Sequence, residues 1–219
     1  MSRNTGIEKT INQKLRAGSN VWVVGDVHGH FDILKKMVDS LNSSDDCQII
    51  LTGDMIDRGP DSNLVIELVK QNSNIFTILG NHESLFLESF DEGSGLINIL
   101  DRWSKVGGLD TLMSYGVELS EQIKLEPNST LYEDIKWIET LPHEIVIDKW
   151  RIVHAGYNPK YSLSSQNNND LLWIRHQFFE ASNIFDSKRT IIVGHTVTSE
   201  LGVKPGDVAQ SNQRLSDGR

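Results

Sequence analysis

The sequence has a single cysteine, Cys47, and no long hydrophobic run among its 219 residues. One cysteine cannot form a disulfide within the chain, so a disulfide-stapled secreted scaffold is excluded and a reducing compartment is expected. No apolar stretch approaches the ~20 residues that span a bilayer. The first 18 residues are polar and lack the apolar centre of a signal peptide. We therefore expect a cytoplasmic protein without a membrane partner.

Positive charge is also scarce, because 21 Lys and Arg residues face 30 Asp and Glu residues, for a net charge of −9 and a pI near 5.2. Duplex nucleic acid and anionic membranes need a basic face, so neither is an expected partner. Phosphate chemistry remains compatible with an acidic chain, since bound divalent cations reverse the local charge.

Internal repeats and low-complexity blocks are absent from the sequence, and its length fits one domain with a substantial core. The first third alternates short apolar runs with helical periodicity. The predicted strands are Asn20–Gly25, Gln48–Thr52 and Asn74–Leu79, and the predicted helices are Phe31–Leu41, Pro60–Gln71 and a helix from about Ser84. This order is typical of βαβ units and a buried, largely parallel sheet.

The pattern changes after Phe90. Asp91–Gly95 is typical of a loop, and Leu96–Met113 and Leu131–Leu141 are predicted to be helical, the former interrupted at Gly107 and Gly108. Two strands, Glu144–Ile147 and Trp150–Val153, are predicted to form a hairpin, followed by a last strand at Thr190–Val193. We expect a single α/β domain over residues 1–219, with a helical insert over about 91–141 and a second sheet from the second half.

Five segments combine glycine with residues that bind metals or phosphate. They are Gly25-Asp-Val-His-Gly29, Gly53-Asp-Met-Ile-Asp-Arg-Gly59, Gly80-Asn-His-Glu83, His154-Ala-Gly156 and Gly194-His-Thr196. The first three directly follow predicted strands, where parallel sheets place their ligand sites. Any one of these segments alone is weak, because a strand ending in Gly-Asp is common and a lone histidine is usually structural. Together, their order favours a functional site.

The residue types narrow the chemistry of that site. Aspartate, asparagine and histidine offer oxygen and imidazole ligands, which suit manganese, iron, zinc or cobalt. Six candidate ligands exceed what one catalytic ion needs, because such an ion keeps a position open. The set instead favours a pair of ions roughly 3.5–4 Å apart, an arrangement used for in-line attack at phosphorus.

This ordered set resembles the metal-dependent phosphoprotein phosphatases, within the calcineurin-like metallophosphoesterases, and most of all the bacterial and bacteriophage lambda-type serine/threonine phosphatases. The resemblance extends from about Asn20 to Thr196. It implies an α/β fold of two mixed β-sheets packed as a sandwich and flanked by helices. It also implies a phosphomonoester hydrolase with a phosphoprotein or phosphopeptide substrate, in the cytoplasm of a bacterium or phage-infected host.

The resemblance assigns a role to each site residue. Asp26 and His28 would hold a first metal, Asp54 would bridge, and Asn81, His154 and His195 would complete a second site. The expected ions are two Mn²⁺, with Fe or Zn as alternatives, and a bridging water or hydroxide would be the nucleophile.

The remaining assignments concern the phosphate and its leaving group. His82 matches the general acid and Asp57 the carboxylate that orients it. Arg58 and Arg175 match arginines that bind the phosphoryl group and favour its transition-state charge, and Asn81 is expected to bind the substrate as well.

Other polar and aromatic residues have simpler readings. His30, His143 and His176 are interpreted as neighbouring, structural or exposed histidines. Glu83 fits either a support of the site or an acidic residue at a helix start. Trp103 and Trp137 are expected to pack within the insert, and Cys47 to be inert.

Two rival functions stay open. A diadenosine tetraphosphatase shares the metal motifs, but such enzymes usually lack an acidic residue at the place of Asp57 and read Gly-Asn-His-Asp where this chain has Gly80-Asn-His-Glu83. A catalytically weak metal-binding protein is the non-enzymatic rival. This alternative is suggested by residues 204–219, which are polar and lack the strand-forming Asp-Thr-Gly stretch of the family. We expect a disordered tail, missing last strands, and an exposed sheet edge beside His195. A monomer is the default oligomeric state.

Overall fold

The protein is seen in a computed structural model that describes residues 2–42, 46–98, 102–120, 122–182 and 185–204. The helices within these ranges are α1 Thr5–Arg16, α2 Phe31–Asn42, α3 Ser62–Gln71, α4 Asn81–Ser89, α5 Gly108–Ser114, α6 Thr130–Ile138, α7 Asn168–Trp173 and α8 His176–Phe179. The strands are β1 Asn20–Val24, β2 Cys47–Leu51, β3 Ile75–Thr77, β4 Phe90–Asp91, β5 Leu96–Asn98, β6 Gln122–Lys124, β7 Glu144–Ile147, β8 Trp150–Val153 and β9 Thr190–Ile192.

The first sheet has the order β1-β2-β3, and both pairs of strands are parallel. Ile50 in the central strand is paired with Val23 on one side and Phe76 on the other. Every residue of β2 is buried, as expected for a strand covered on both faces. The parallel βαβ arrangement predicted from the sequence is confirmed.

The second sheet has the order β7-β8-β9, with an antiparallel hairpin followed by a parallel pair. Its apolar inner face contacts the first sheet: Ile145 and Ile152 share a buried cluster with Ile50. Burying each such side chain contributes about 1.5–3 kcal/mol, before the entropy of ordering is counted. This core fixes the separation of the two sheets, which confirms the predicted sandwich.

Helices cover the outer faces of the sandwich. Leu34 of α2 and Val65 of α3 belong to a buried cluster with Ile49 and Leu51, the residues that flank Ile50 in β2. This alternation follows from the two-residue period of a strand, which turns successive side chains to opposite faces. On the other sheet, Val153 packs instead with residues of the segment that contains α7 and α8.

The insert differs from its prediction. Leu96–Asn98 forms a strand, not a helix, and pairs antiparallel with β4 and β6 in a third sheet. Ile97 is buried and lies opposite Ile123, so pairing across the insert overrides the local helical periodicity. Helix is confirmed at α5 and α6, and the insert therefore mixes both kinds of structure.

The chain before β1 forms helix α1, whose Asn4 side chain caps the first turn by accepting the backbone N–H groups of Gly6 and Ile7. Ile11 on the inner face of α1 is buried and packs in the cluster that contains Ile50, Ile145 and Ile152. None of the helices in the described ranges combines the length and apolar character that a membrane crossing needs. The predicted tail after Lys204 lies outside the described residues.

Candidate active site

The five glycine-containing segments converge at one end of the two sheets. Three of them follow β1, β2 and β3, and the other two follow β8 and β9. Because β1, β2 and β3 are parallel, their carboxyl ends lie at the same edge. The Val27 and His28 backbone N–H groups both donate to the Asp54 carbonyl at 2.9 Å, which joins the first two segments directly. The site is thus held by main-chain contacts.

Strained backbone is concentrated at this edge. Among the described residues, six that are not glycine have a positive φ, and five of the six belong to the predicted site. Those five are His28, Asp54, Asp57, Arg58 and His195. A left-handed conformation is unfavourable for residues with a side chain and persists only where surrounding contacts impose it. Such strain is typical of functional sites.

A group of ligand atoms forms around His154. Its Nε2 atom lies 2.8 Å from Oδ1 of Asn81 and 3.2 Å from Nδ1 of His195, and those two atoms are 2.7 Å apart. Oδ1 of Asp54 is 3.5 Å from the same Nε2. The four predicted ligands of one metal site are therefore brought together.

A backbone hydrogen bond of His154 determines which of its ring nitrogens faces this group of ligand atoms. Its Nδ1 atom lies 2.7 Å from the Thr52 carbonyl oxygen, which can only accept, so Nδ1 carries the proton. Nε2 is then the ring nitrogen turned toward the Asn81 oxygen. Burial and the neighbouring imidazole of His154 lower the pKa of His195 to about 3, which keeps His195 neutral. Acceptors converging with one carboxylate fit a divalent metal.

The other predicted metal site is only partly assembled. His28 donates through Nδ1 to the Ile56 carbonyl at 2.9 Å, which turns Nε2 toward Oδ2 of Asp54, at 3.8 Å. His28, Asp54 and His82 form one potential metal-binding group, whereas Asp26 is in neither group found in the described residues. The Asp26 carboxylate instead accepts the His195 backbone N–H at 3.1 Å. Asp26 therefore borders the cluster.

His82 and Asp57 form a buried pair. Nδ1 of His82 is 2.6 Å from Oδ2 of Asp57, and Asp57 is fully buried. Burial lowers the pKa of His82, but the hydrogen bond to Asp57 and the charges of Asp54, Asp57 and Glu83 outweigh it, so the pKa is raised. The imidazole is oriented by a carboxylate that favours its charged form.

The two predicted arginines differ in position. The Arg58 guanidinium lies directly over the site, with one nitrogen 2.8 Å from Nε2 of His28 and another 2.9 Å from Nε2 of His82. Arg175 forms its ion pair with Glu200, at 3.5 Å. Its charge helps to lower the pKa of His195, and the ring centroid of Trp173, two residues earlier, is 6.0 Å from that of His195. Arg58 therefore lies over the site, and Arg175 lies at its rim.

Glu83 has the supporting position that was one of its two predicted roles. Its buried carboxylate accepts the backbone N–H groups of Asp54 at 2.8 Å, Met55 at 2.7 Å and Gly80 at 2.9 Å. Burial, followed by the charge of Asp54, raises the pKa of Glu83 to about 7. A Cβ at Gly80 would collide with both Asp54 and Glu83, so only glycine fits between the two segments.

Three residues of the site were missed in the sequence. Trp103, which was assigned to packing alone, donates through Nε1 to the Asp57 carboxylate, and Thr111 donates its hydroxyl to the same group. Arg102 lies 4.2 Å above the ring of Trp173 at the rim. All three approach from the insert, and no local motif marks them.

The remaining histidines and the cysteine lie apart from the metal-binding groups. His143 is hydrogen-bonded through Nδ1 to the Ser2 hydroxyl at 2.8 Å. His30 and His176 are exposed. Cys47 is buried, 3.6 Å from Oδ1 of Asn42.

The sequence and fold of this chain are similar to those of known proteins. The family description for calcineurin-like phosphoesterases matches residues 19–209. Serine/threonine-protein phosphatase 2 of Escherichia coli strain K12 is 32% identical over 162 residues, which cover 70% of this chain and 67% of that protein.

Relatives that carry a different name reach the same sequence identity. The symmetrical bis(5'-nucleosyl)-tetraphosphatase of Wigglesworthia glossinidia brevipalpis is 32% identical over 153 residues, which cover 65% of this chain. The chain spans about half the length of that enzyme, at 47%. A crystal structure provisionally described as a diadenosine tetraphosphatase shares the fold, with a TM-score of 0.52, 18% identity, and 81% of this chain and 79% of that chain covered. The chain therefore belongs to the calcineurin-like phosphoesterase family and is a metallophosphoesterase.

Proposed function

We propose that this metallophosphoesterase hydrolyses phosphate monoesters, with phosphoserine or phosphothreonine in a protein as its substrate. The observation that carries the proposal is the buried His82–Asp57 pair, 2.6 Å apart, at the edge where Asp54, His28, His154 and His195 lie together as potential metal ligands. Hydrolysis of an alkyl phosphate expels a poor leaving group that needs a proton. An imidazole that is oriented by Asp57, and whose pKa is raised by that contact and by neighbouring carboxylates, supplies one.

Two divalent cations, Mn²⁺ by preference, would be held by Asp26, His28, Asp54, Asn81, His154 and His195. The carbonyl groups that fix the His28 and His154 tautomers support this assignment, since both leave Nε2 turned toward Asp54. When bound, the cations supply Lewis acidity toward the phosphoryl group and lower the pKa of water.

The protein side chains would bind the phosphoryl group and protonate the leaving group. Arg58, whose guanidinium spans His28 and His82, would bind two phosphoryl oxygens and hold the phosphorus in line with the leaving group. His82 would then donate the Nε2 proton to the leaving alkoxide, while Asp57 keeps the ring aimed and stabilises its positive charge. Arg175 at the rim would exchange its partner Glu200 for the phosphate as the substrate enters.

A symmetrical dinucleotide tetraphosphatase is the competing activity, because a relative with that name is as similar to this chain as the protein phosphatase is, at 32% identity each. Two features support the monoesterase. Asp57 is present and hydrogen-bonded to His82. The segment at the start of α4 reads Asn81-His82-Glu83, and the Glu83 carboxylate accepts the N–H groups of Asp54, Met55 and Gly80.

The test is hydrolysis by metal-stripped protein, with and without added Mn²⁺, of p-nitrophenyl phosphate, a phosphoserine peptide and diadenosine tetraphosphate. Mn²⁺-dependent release from the two monoesters alone is the expected result. Cleavage of the dinucleotide alone would establish the nucleotide hydrolase instead. Silence on all three substrates, from folded protein that still binds the metal, would support the non-catalytic alternative. Asp54→Asn protein serves as the control for contaminating phosphatase.

A further inference from the structure

A segment of the insert, residues 103–111, reaches across to the loop after β2 and contacts two adjacent site residues. Trp103 and Thr111 bind the Asp57 carboxylate, and the Arg58 backbone N–H donates to the Gly107 carbonyl at 3.1 Å. We call this segment the insert clamp. It lies far from Asp57 in sequence, 46 residues away at Trp103 and 54 at Thr111.

The Asp57 carboxylate has a full set of donors. Oδ2 accepts from Nδ1 of His82 at 2.6 Å and from Nε1 of Trp103 at 2.9 Å. Oδ1 accepts from the Thr111 hydroxyl at 2.6 Å, and Trp103 is also within 3.1 Å of it. The clamp therefore supplies every side-chain donor to Asp57 in the described residues except His82. A fully buried carboxylate needs such donors, because burying it unpaired is costly.

The clamp also restrains the backbone of Asp57. The Thr111 Oγ1 atom accepts the Asp57 N–H at 2.9 Å while donating to the carboxylate. Asp57 and Arg58 both adopt positive φ, at 73° and 70°. Two successive side-chain-bearing residues do not hold that conformation without external contacts. The Ser62 hydroxyl also accepts this N–H, at 3.1 Å, whereas Thr111 contacts both the amide and the carboxylate of Asp57.

We propose that Trp103 and Thr111 are positioning residues for the general acid: they lock the Asp57 carboxylate in the rotamer that aims His82. This inference rests on the proposed monoesterase function, and it gives the insert a part in the chemistry. Without the two donors, the carboxylate gains freedom to rotate away from His82, and the imidazole loses its fixed direction. A small misalignment of a proton donor is enough to slow its transfer.

The substitutions separate hydrogen bonding from packing. Trp103 is fully buried and stacks on Phe86, with ring centroids 4.5 Å apart, so Trp103→Phe keeps an aromatic ring but removes the N–H. Thr111→Val keeps the shape and removes the hydroxyl, and Thr111→Ser restores it. Trp137→Phe, in α6, is the matched control for loss of an indole outside the clamp.

The expected kinetic signature is selective. Thr111→Val and Trp103→Phe should lower kcat on a phosphoserine peptide about tenfold or more, within the ~10²–10⁴ that general acid catalysis contributes. They should change kcat on p-nitrophenyl phosphate, whose leaving group needs no proton, less than about threefold, with KM nearly constant. Thr111→Ser and Trp137→Phe should behave like the unsubstituted protein. Equal losses on both substrates, or failure of Thr111→Ser to restore activity, would overturn the proposal.

A second readout keeps the inference separate from the proposed function. The His82 Nδ1 proton in a 2.6 Å hydrogen bond should give a downfield resonance in the metal-free protein, assigned by its disappearance in His82→Asn. The resonance should be lost or broadened in Thr111→Val and retained in Thr111→Ser. If unsubstituted protein hydrolyses no monoester, the proposed function fails while this test still decides the clamp. If Trp103→Phe does not fold, the Thr111 pair decides alone. An unchanged resonance in Thr111→Val would refute the clamp.

Discussion

The carboxylate of Glu83 accepts the backbone N–H of Asp54 at 2.8 Å, so a residue at the start of α4 fixes the loop that follows β2. The same carboxylate binds Met55 and Gly80, which ties the ends of two parallel strands together. Asp54 lies in both potential metal-binding groups. The geometry of both groups therefore depends on the buried carboxyl group of Glu83, which is not itself one of the potential ligands.

Replacing Glu83 should destabilise the loops that follow β2 and β3. Glu83→Gln puts an amide N–H₂ group against backbone N–H donors, so at least one donor loses its partner, at a cost of about 1–3 kcal/mol. We expect a lower free energy of unfolding in urea and weaker metal binding. Glu88→Gln is the control, because Glu88 is exposed on the same helix and bonds only Ser84 among the contacts described. Equal stability of the two variants would contradict the role of Glu83.

Asp54→Asn should remove both metals together. Asp54 approaches His28 through Oδ2, at 3.8 Å, and His154 through Oδ1, at 3.5 Å, so one side chain faces both imidazoles. A neutral amide offers one acceptor oxygen in place of two and no charge. Metal content after dialysis should fall for both ions, and turnover should be lost. Asp148→Asn, in the exposed β7–β8 turn, should bind metal normally. Two tightly held ions in Asp54→Asn would rule out the shared-ligand assignment.

The strand ends were predictable because their signals are local. A short apolar run followed by Gly-Asp or Gly-Asn marks both a buried strand and the turn after it, and parallel pairing then brings Asp54 and Asn81 to one edge. The helix predicted from Leu96 failed for a nonlocal reason. The fate of Leu96–Asn98 depends on pairing with Gln122–Lys124, which local periodicity does not report.

The insert clamp was unpredictable for the same reason. Trp103 and Thr111 sit in a segment whose pattern reads as helix and packing, and their partner Asp57 lies 46 and 54 residues earlier. An indole N–H and a hydroxyl acquire a role only when folding places a buried carboxylate beside them. By contrast, the family resemblance implied the pairing of His82 with Asp57, and the 2.6 Å contact agrees with it.

Arg151→Leu should be among the most destabilising changes outside the site. Glu144 is fully buried, with Nη1 of Arg151 2.6 Å and the Tyr157 hydroxyl 2.5 Å from Oε2. Removing the cation leaves a buried charge, which costs about 3–5 kcal/mol. Urea denaturation should show the loss. Lys35→Ala breaks an exposed pair with Asp39 and should cost little, since surface ion pairs are weak. A melting curve for Arg151→Leu that matches unsubstituted protein would contradict this account.

His82→Asn tests the acid itself. The substitution removes the group that contacts Asp57 and Arg58 but leaves Asn81, His154 and His195 in place, so metal content should stay near normal. Turnover of a phosphoserine peptide should fall by about 10²–10⁴, the usual contribution of a general acid. Turnover of p-nitrophenyl phosphate should fall less, because its leaving group departs without a proton. Equal losses on the two substrates would assign His82 to phosphate binding or metal support instead, and the Asp57 pair would then serve to orient a ligand.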